Sequence, residues 1–149
     1  MSFLEKMYTN KNVMSKIKSV FYKLFYNNFM REFINRKCPF CVNGKETGFH
    51  FLKGCRFYTK IKMCVQDIFT NIGFKVTGFD SIENLLYDFH SSNDMNQIIV
   101  SSTYWGIWIC RNIKLFDNKR RAKEGIPTIL VTKEFIIYRI IFYIFTYTI

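Results

Sequence analysis

Cys38-Pro39-Phe40-Cys41, His50 and Cys55 are the residues of this 149-residue chain whose types and spacing point most directly to chemistry. They follow C-x2-C-x8-H-x4-C, three thiols and one imidazole within eighteen residues. Zinc favours four tetrahedral sulfur and nitrogen ligands, and a two-residue gap lets one tight turn aim two thiolates at a single ion. Pro39 and Gly44 suit the bends of such a turn. His50 and Cys55 then close the coordination sphere, which predicts one structural zinc ion with no open position for water. The plainer alternative is four unrelated residues of a reduced intracellular protein, because free cysteine is among the most buried residue types. Ordered ligands at such short spacing favour the metal. Cys64 and Cys110 fall outside the pattern and are expected as buried apolar fillers, Cys64 being an alternative ligand.

Other chemistries lack their residues. The chain has two histidines, and His50 is allocated to metal. His90, close to Asp88, is expected as a surface residue, not a general base. No G-x-x-x-x-G-K-[ST], G-x-G-x-x-G or H-E-x-x-H occurs. The carboxylates do not cluster as a two-metal site would need. The sequence therefore predicts no enzyme and no small-molecule substrate.

Charge points to a different kind of partner. Lys and Arg number 22 against 11 Asp and Glu, a net charge of +11. Residues 1–62 carry 13 basic and 3 acidic side chains, residues 63–110 carry 1 and 5, and residues 111–149 carry 8 and 3. A polyanion is drawn to the first and last parts. The plainer account is a solvated basic surface that keeps an apolar chain in solution. Hydrophobic residues make up 49% and aromatics 19%, too many for a disordered chain. Five cysteines and no apolar leader in the first residues suggest a reducing nucleus or cytoplasm.

The elements that must position these groups are mainly helical by their apolar spacing. Val13, Ile17, Phe21, Leu24, Phe25 and Phe29 predict a helix from Asn12 to Phe33 with Asn10 as its cap. Lys11, Lys16, Lys18, Lys23 and Arg31 are interleaved with that stripe, and Arg36 and Lys37 lead into the first cysteine. A second helix is expected from Phe57 to Ile72, ending near Gly73. A loop or short strand then runs from Gly73 to Gly78, and Ser81 begins a short acidic helix through Phe89. Ser91-Ser92-Asn93-Asp94 signals another start, with Gln97 three residues after Asp94 as in a capping box. From Met95 to about Phe116 the stripe Ile98, Ser102, Trp105, Ile109, Asn112 and Phe116 predicts the buried face of the main helix. Trp105 is expected to be more buried than Trp108, Asn112 to be hydrogen-bonded inside, and Trp108 and Arg111 to make a cation–π contact. Residues 119–123 are expected as a basic turn. Residues 135–149 form an apolar segment, a core helix by preference, although its Ile, Tyr and Phe also suit a strand. At fifteen residues with Arg139 inside, it is too short for a membrane span.

With these pieces in place, a family resemblance emerges. Cys38-Pro-Phe-Cys41, Glu46-Thr47, His50-Phe51-Leu52 and Cys55 resemble the zinc-binding region C-terminal to non-LTR (LINE-type) retrotransposon reverse transcriptases, whose pattern runs C-P-x-C, E-T, H-L-F, C. Trp105-Gly-Ile-Trp108-Ile-Cys-Arg111-Asn112, with Phe116 four residues on, is similar to that family's later W-x-x-W-x-x-R-N-x-x-x-F helix. The basic aromatic segment from Asn12 to Phe33 resembles the stretch leading into the cysteines, so the similarity covers about residues 12–118. Phe51-Leu52 stands where Leu-Phe is commoner. The eight residues between Cys41 and His50 exceed the four of a retroviral nucleocapsid knuckle. No Phe/Tyr-x-Asp-Asp polymerase motif occurs. The resemblance therefore implies a C-terminal fragment of a retroelement protein, with an upstream reverse transcriptase as a partner.

The expected fold is mostly α, a small helical domain with an inserted CCHC zinc-binding knuckle. Residues 1–36 would be a basic helical segment, 37–57 the knuckle, 58–126 a helical region and 127–149 an apolar end. The expected function is sequence-nonspecific binding of RNA or DNA. Lys16, Lys23, Arg36, Lys37, Lys53, Arg56 and Lys60 would contact phosphates, and Phe40 or Phe49 would stack on unpaired bases. A structural or protein-interaction zinc module is the alternative, followed by a membrane-surface protein.

Overall fold

A capping box opens the folded chain: Ser2 accepts from the Glu5 amide while the Glu5 carboxylate accepts from the Ser2 amide. The computed structural model describes residues 2–26, 36–42 and 44–148. Among these residues lie seven helices, α1 (Phe3–Thr9), α2 (Ser15–Tyr26), α3 (Arg56–Asn71), α4 (Ile82–Asp88), α5 (Asp94–Asn112), α6 (Asn118–Lys123) and α7 (Lys133–Thr148). Two π-helical turns, His50–Gly54 and Ile113–Asp117, interrupt the order, and no strand is present among the described residues. The architecture is mostly α, with a Cys/His cluster on the segment between α2 and α3.

The first helical segment differs from the sequence reading. Asn10 is the C-cap of α1, its side chain accepting from the Asn12 amide at 2.9 Å, so the chain turns there and α2 starts only at Ser15. An asparagine that bonds its own backbone two residues on serves a turn as readily as a helix start. The predicted extension to Phe33, with Phe29 and Arg31, lies outside the described residues. Ile17, Val20 and Phe21 bury the inner face of α2.

Helix α5 is the hub of the core and packs against α2, α3 and α7. Its buried set departs from the predicted stripe. Ile99, Val100, Thr103, Ile107 and Cys110 are fully covered, whereas Trp105, Ile109 and Asn112 are half-buried and Phe116 is exposed. Neighbours on several sides remove the single wet face that a stripe assumes. Ser101 and Thr103 satisfy their hydroxyls on the carbonyls four residues back, at 2.6 Å each. Gly106 is where α7 comes closest. A Cβ there would collide with the Ile140 side chain and lie 3.3 Å from the Ile140 Cα, so glycine sets the spacing of the two helices. Ile136, Ile140 and Ile144 form the buried stripe of α7, the predicted core helix. No helix of the described residues is long and apolar enough to cross a membrane.

The predicted starts of α3 and α4 agree with the structure to within one residue. The start of α5 moves by one. Asn93, not Asp94, is the N-cap, accepting from Asn96, and Gln97 turns back to the carbonyls of His90 and Ser92. Residues 119–123 belong to helix α6, not to a turn. His90 is not a surface side chain either. Its Nδ1 accepts from Asn10 Nδ2 and its Nε2 donates to the Phe3 carbonyl, each at 3.1 Å, which ties α1 to the end of α4.

Candidate metal centre

The first two cysteines sit on a tight loop closed by main-chain bonds. Lys37 and Lys45 form an isolated antiparallel bridge, the Cys38 amide donates to the Gly44 carbonyl at 2.9 Å, and Val42 donates back to the Cys38 carbonyl at 3.2 Å. The reversal depends on Val42, which adopts φ = +65°. That region is costly for a β-branched side chain. Gly44 has a different task. A Cβ at that position would run into the His50 imidazole, so its missing side chain makes room for a ligand.

The second pair of ligands comes from a widened helical turn. Thr47 Oγ1 accepts from the His50 amide at 3.0 Å and starts the turn. The Cys55 amide then donates to the His50 carbonyl at 3.0 Å, the five-residue step of a π-turn. Such turns are rare and concentrate at functional sites. Here the extra residue brings His50 and Cys55 to one side, and Cys55 is also the N-cap of α3.

The ligand atoms of Cys38, Cys41, His50 and Cys55 all lie within 4.8 Å of one another. Cys38 Sγ and Cys55 Sγ are 3.9 Å apart, and Cys41 Sγ lies 3.4 Å from His50 Nε2. Cys38, His50 and Cys55 are buried and Cys41 is half-exposed. These four residues could hold a metal ion. Cys64 is not in the cluster, and Cys110 is buried in the helical core, where desolvation pushes its thiol up to about 11. The hydrogen bond from Cys55 pulls Cys38 down to about 4, helped by the backbone amides of Cys41 and Phe40. The same bond, together with burial, pushes Cys55 up. A soft cation bound between the two sulfurs would take both as thiolates and displace the thiol protons.

Behind the cluster lies an ion pair that the residue-level reading did not find. Glu46 and Arg111, 2% and 1% exposed, join Oε1 to Nε across 65 residues of sequence. Arg111 also stacks over the Trp108 ring at 4.8 Å, as expected, and donates to Asn112 Oδ1 at 2.8 Å. Asn112 is thus hydrogen-bonded, but half-buried and from beside, not within a sealed stripe. Phe51 meets Trp108 edge-on at 5.9 Å and Tyr58 at 5.5 Å, so aromatic rings continue the link. Lys62 is a second omission. It is 1% exposed, donates to the Leu52 carbonyl at 2.6 Å, and is lowered to about 8 by burial and then by Lys53. Its place on the i, i+4 row of Tyr58 was the available signal, since Tyr58 lies on the buried face of α3.

The predicted phosphate-contacting residues separate into two groups. Lys16, Lys23, Lys37, Arg56 and Lys60 are exposed. Arg36 is half-buried over the Phe116 ring at 5.6 Å, and Lys53 is half-buried with its ammonium on the Asp80 carbonyl. These two have structural partners. Phe49 is 63% exposed, but Phe40 is stacked on Phe57 at 4.7 Å with Lys114 over its ring at 4.6 Å. Phe40 is thus already engaged by a stacked ring and a cation. No protein-family model matches this chain, and neither a curated protein nor a solved structure matches it.

Proposed function

We propose that the chain is a zinc-stabilised nucleic-acid-binding domain of the kind found beside retrotransposon reverse transcriptases. The observation that carries the zinc assignment is the shape of the ligand set. With Zn–S near 2.3 Å and Zn–N near 2.0 Å, tetrahedral angles give sulfur–sulfur edges of about 3.8 Å and sulfur–nitrogen edges of about 3.5 Å. The 3.9 Å and 3.4 Å separations lie close to those values, within a set whose ligand atoms are all inside 4.8 Å of one another. Three thiolates and one imidazole suit zinc over harder cations, and four protein donors leave no place for a reacting water. The ion's role is to hold the loop, not to do chemistry. Zinc analysis of protein purified without added metal is the direct test, with one equivalent expected and its loss in Cys41→Ser.

The nucleic-acid reading is supported by the basic surplus around that site and by the exposure of Lys16, Lys23, Lys37, Arg56 and Lys60. Contacts of this kind release counterions, so the logarithm of affinity for RNA or DNA should fall linearly with the logarithm of salt. Salt-independent binding would end this reading. The retroelement reading rests on the residues of the two motif blocks and is consistent with the Glu46–Arg111 pair that connects them. A nuclear or cytoplasmic setting and an upstream reverse transcriptase partner belong to the same proposal. A protein-interaction module is the second reading, favoured by the outward face of α7, where Tyr138, Phe142 and Phe145 are 78%, 59% and 56% exposed.

A further inference from the structure

The cavity beside the metal centre has a composition that selects a ligand. It has a volume of about 600 Å³ and is lined by Phe40, Cys41, Gly44, Gly54, Arg56, Phe57 and Lys60. That volume lies within the roughly 300–1,000 Å³ of small-ligand sites. Its walls are of two kinds. The parallel Phe40–Phe57 stack supplies an apolar side, and Arg56 and Lys60, four residues apart on the first turns of α3, supply a cationic one. No acidic residue lines it, the first turn of α3 carries none, and neither cation has an ion-pair partner among the described residues. Both lining glycines are sterically required, since a Cβ on Gly54 would press on the Phe49 ring at 3.3 Å and one on Gly44 would strike His50.

The cations are not there only to offset the metal site. Three thiolates, a neutral imidazole and a divalent ion sum to one negative charge, whereas Arg56 and Lys60 bring two positive charges, with Lys114 nearby over Phe40. A surplus remains for an external anion, and a fork-shaped guanidinium is well suited to phosphate. An apolar ring wall next to a phosphate-sized cationic edge matches one nucleotide, base and phosphate together.

The geometry points to this cavity as a subsite for one unpaired nucleotide of a single-stranded nucleic acid, its phosphate held by Arg56 and Lys60 and its base against Phe57. A base that is paired and stacked in a duplex cannot lay its face on Phe57 while its phosphate meets Arg56 and Lys60, so the subsite confers preference for single strands. This inference rests on the nucleic-acid reading above and deepens it.

The test uses the full chain with its zinc, a fluorescent twelve-residue oligo(dT) and a duplex of equal length. The parent should bind the single strand about tenfold more tightly than the duplex. Arg56→Gln with Lys60→Gln should weaken single-strand binding about tenfold and abolish the preference, at unchanged zinc content. Lys16→Gln with Lys23→Gln removes the same charge from α2 and should weaken both probes equally and less. If the parent binds both probes but the two double variants behave alike, the subsite is wrong and general nucleic-acid binding stands. If the parent binds neither probe at low salt, both readings fall.

Discussion

The segment from residue 36 to residue 58 and the α5–α7 pair are stabilised by different physics. The first is a loop and a π-turn held by four converging ligands, one buried ion pair and a few rings. The second is two helices joined by aliphatic packing, Gly106 against Ile140 with Ile107, Ile136 and Ile144 around them. The segment has little regular structure and adds Phe51, Leu52 and Tyr58 to the core, whereas the helix pair is joined by packing throughout. With the proposed ion bound, metal and charge would order the part that presents ligands and cations, whereas hydrocarbon orders the part that supports it.

Removing the ion should separate the regions most strongly. Cys41→Ser, or chelation of the parent, should unfold the segment around residues 36–58 while α5 and α7 keep their helicity. Amide exchange measured segment by segment would show this, and equal loss in both regions would erase the contrast. Structural zinc contributes on the order of 10 kcal/mol in small domains, so this is the largest expected effect.

Next comes the ion pair that joins the two regions. Arg111→Met leaves Glu46 buried without its cation and should cost about 3–5 kcal/mol in denaturant unfolding. Glu46→Gln with Arg111→Met should restore most of that loss, because no uncompensated charge is left behind. A double variant as unstable as the single one would assign the cost to Arg111's packing instead.

Packing alone is tested in the helix pair. Ile140→Ala should lose about 2–5 kcal/mol and leave zinc stoichiometry at one. Loss of metal in this variant would mean that the regions are not separable. Within the loop, Val42→Gly should gain up to about 1 kcal/mol, since glycine adopts the left-handed conformation without a Cβ penalty and gives back part through its own entropy. A stability loss there would mean that the exposed valine makes a contact of its own.

The smallest effect is a pH response. Burial first, then the Lys6 charge, lowers the His90 pKa below its ordinary 6.5, opposed by the Phe3 carbonyl. The folded state thus favours the neutral ring, which also accepts from Asn10. Its contribution is present above pH 6.5 and is lost as pH falls through the lowered value. The stability difference between the parent and His90→Gln should therefore shrink between pH 7 and pH 5. A difference constant with pH would remove His90 as a titrating link.

The amino-acid order alone determined a good deal. Ligand identity was legible because donor chemistry and spacing are local properties, and Cys38, Cys41, His50 and Cys55 need only one turn and one helical step to meet. The existence of α3 and α5 was legible from apolar periodicity and that of α4 from its Ser81 cap, whereas the near-continuous apolar run of α7 suited a strand as well as a helix. What surrounds each helix was not legible. The face of α5 was misplaced because α2, α3 and α7 enclose it, which no single-helix pattern records. Asn10 changed from a helix start to a helix end because either role satisfies its side chain locally. His90, Arg36 and Lys53 seemed free until distant backbone and rings were brought to them. Residue types and short spacings fixed which groups could bind an ion. Only the tertiary structure decided that Glu46 meets Arg111, and that Arg56 and Lys60 border a cavity, because contacts across tens of residues follow from packing and not from local order.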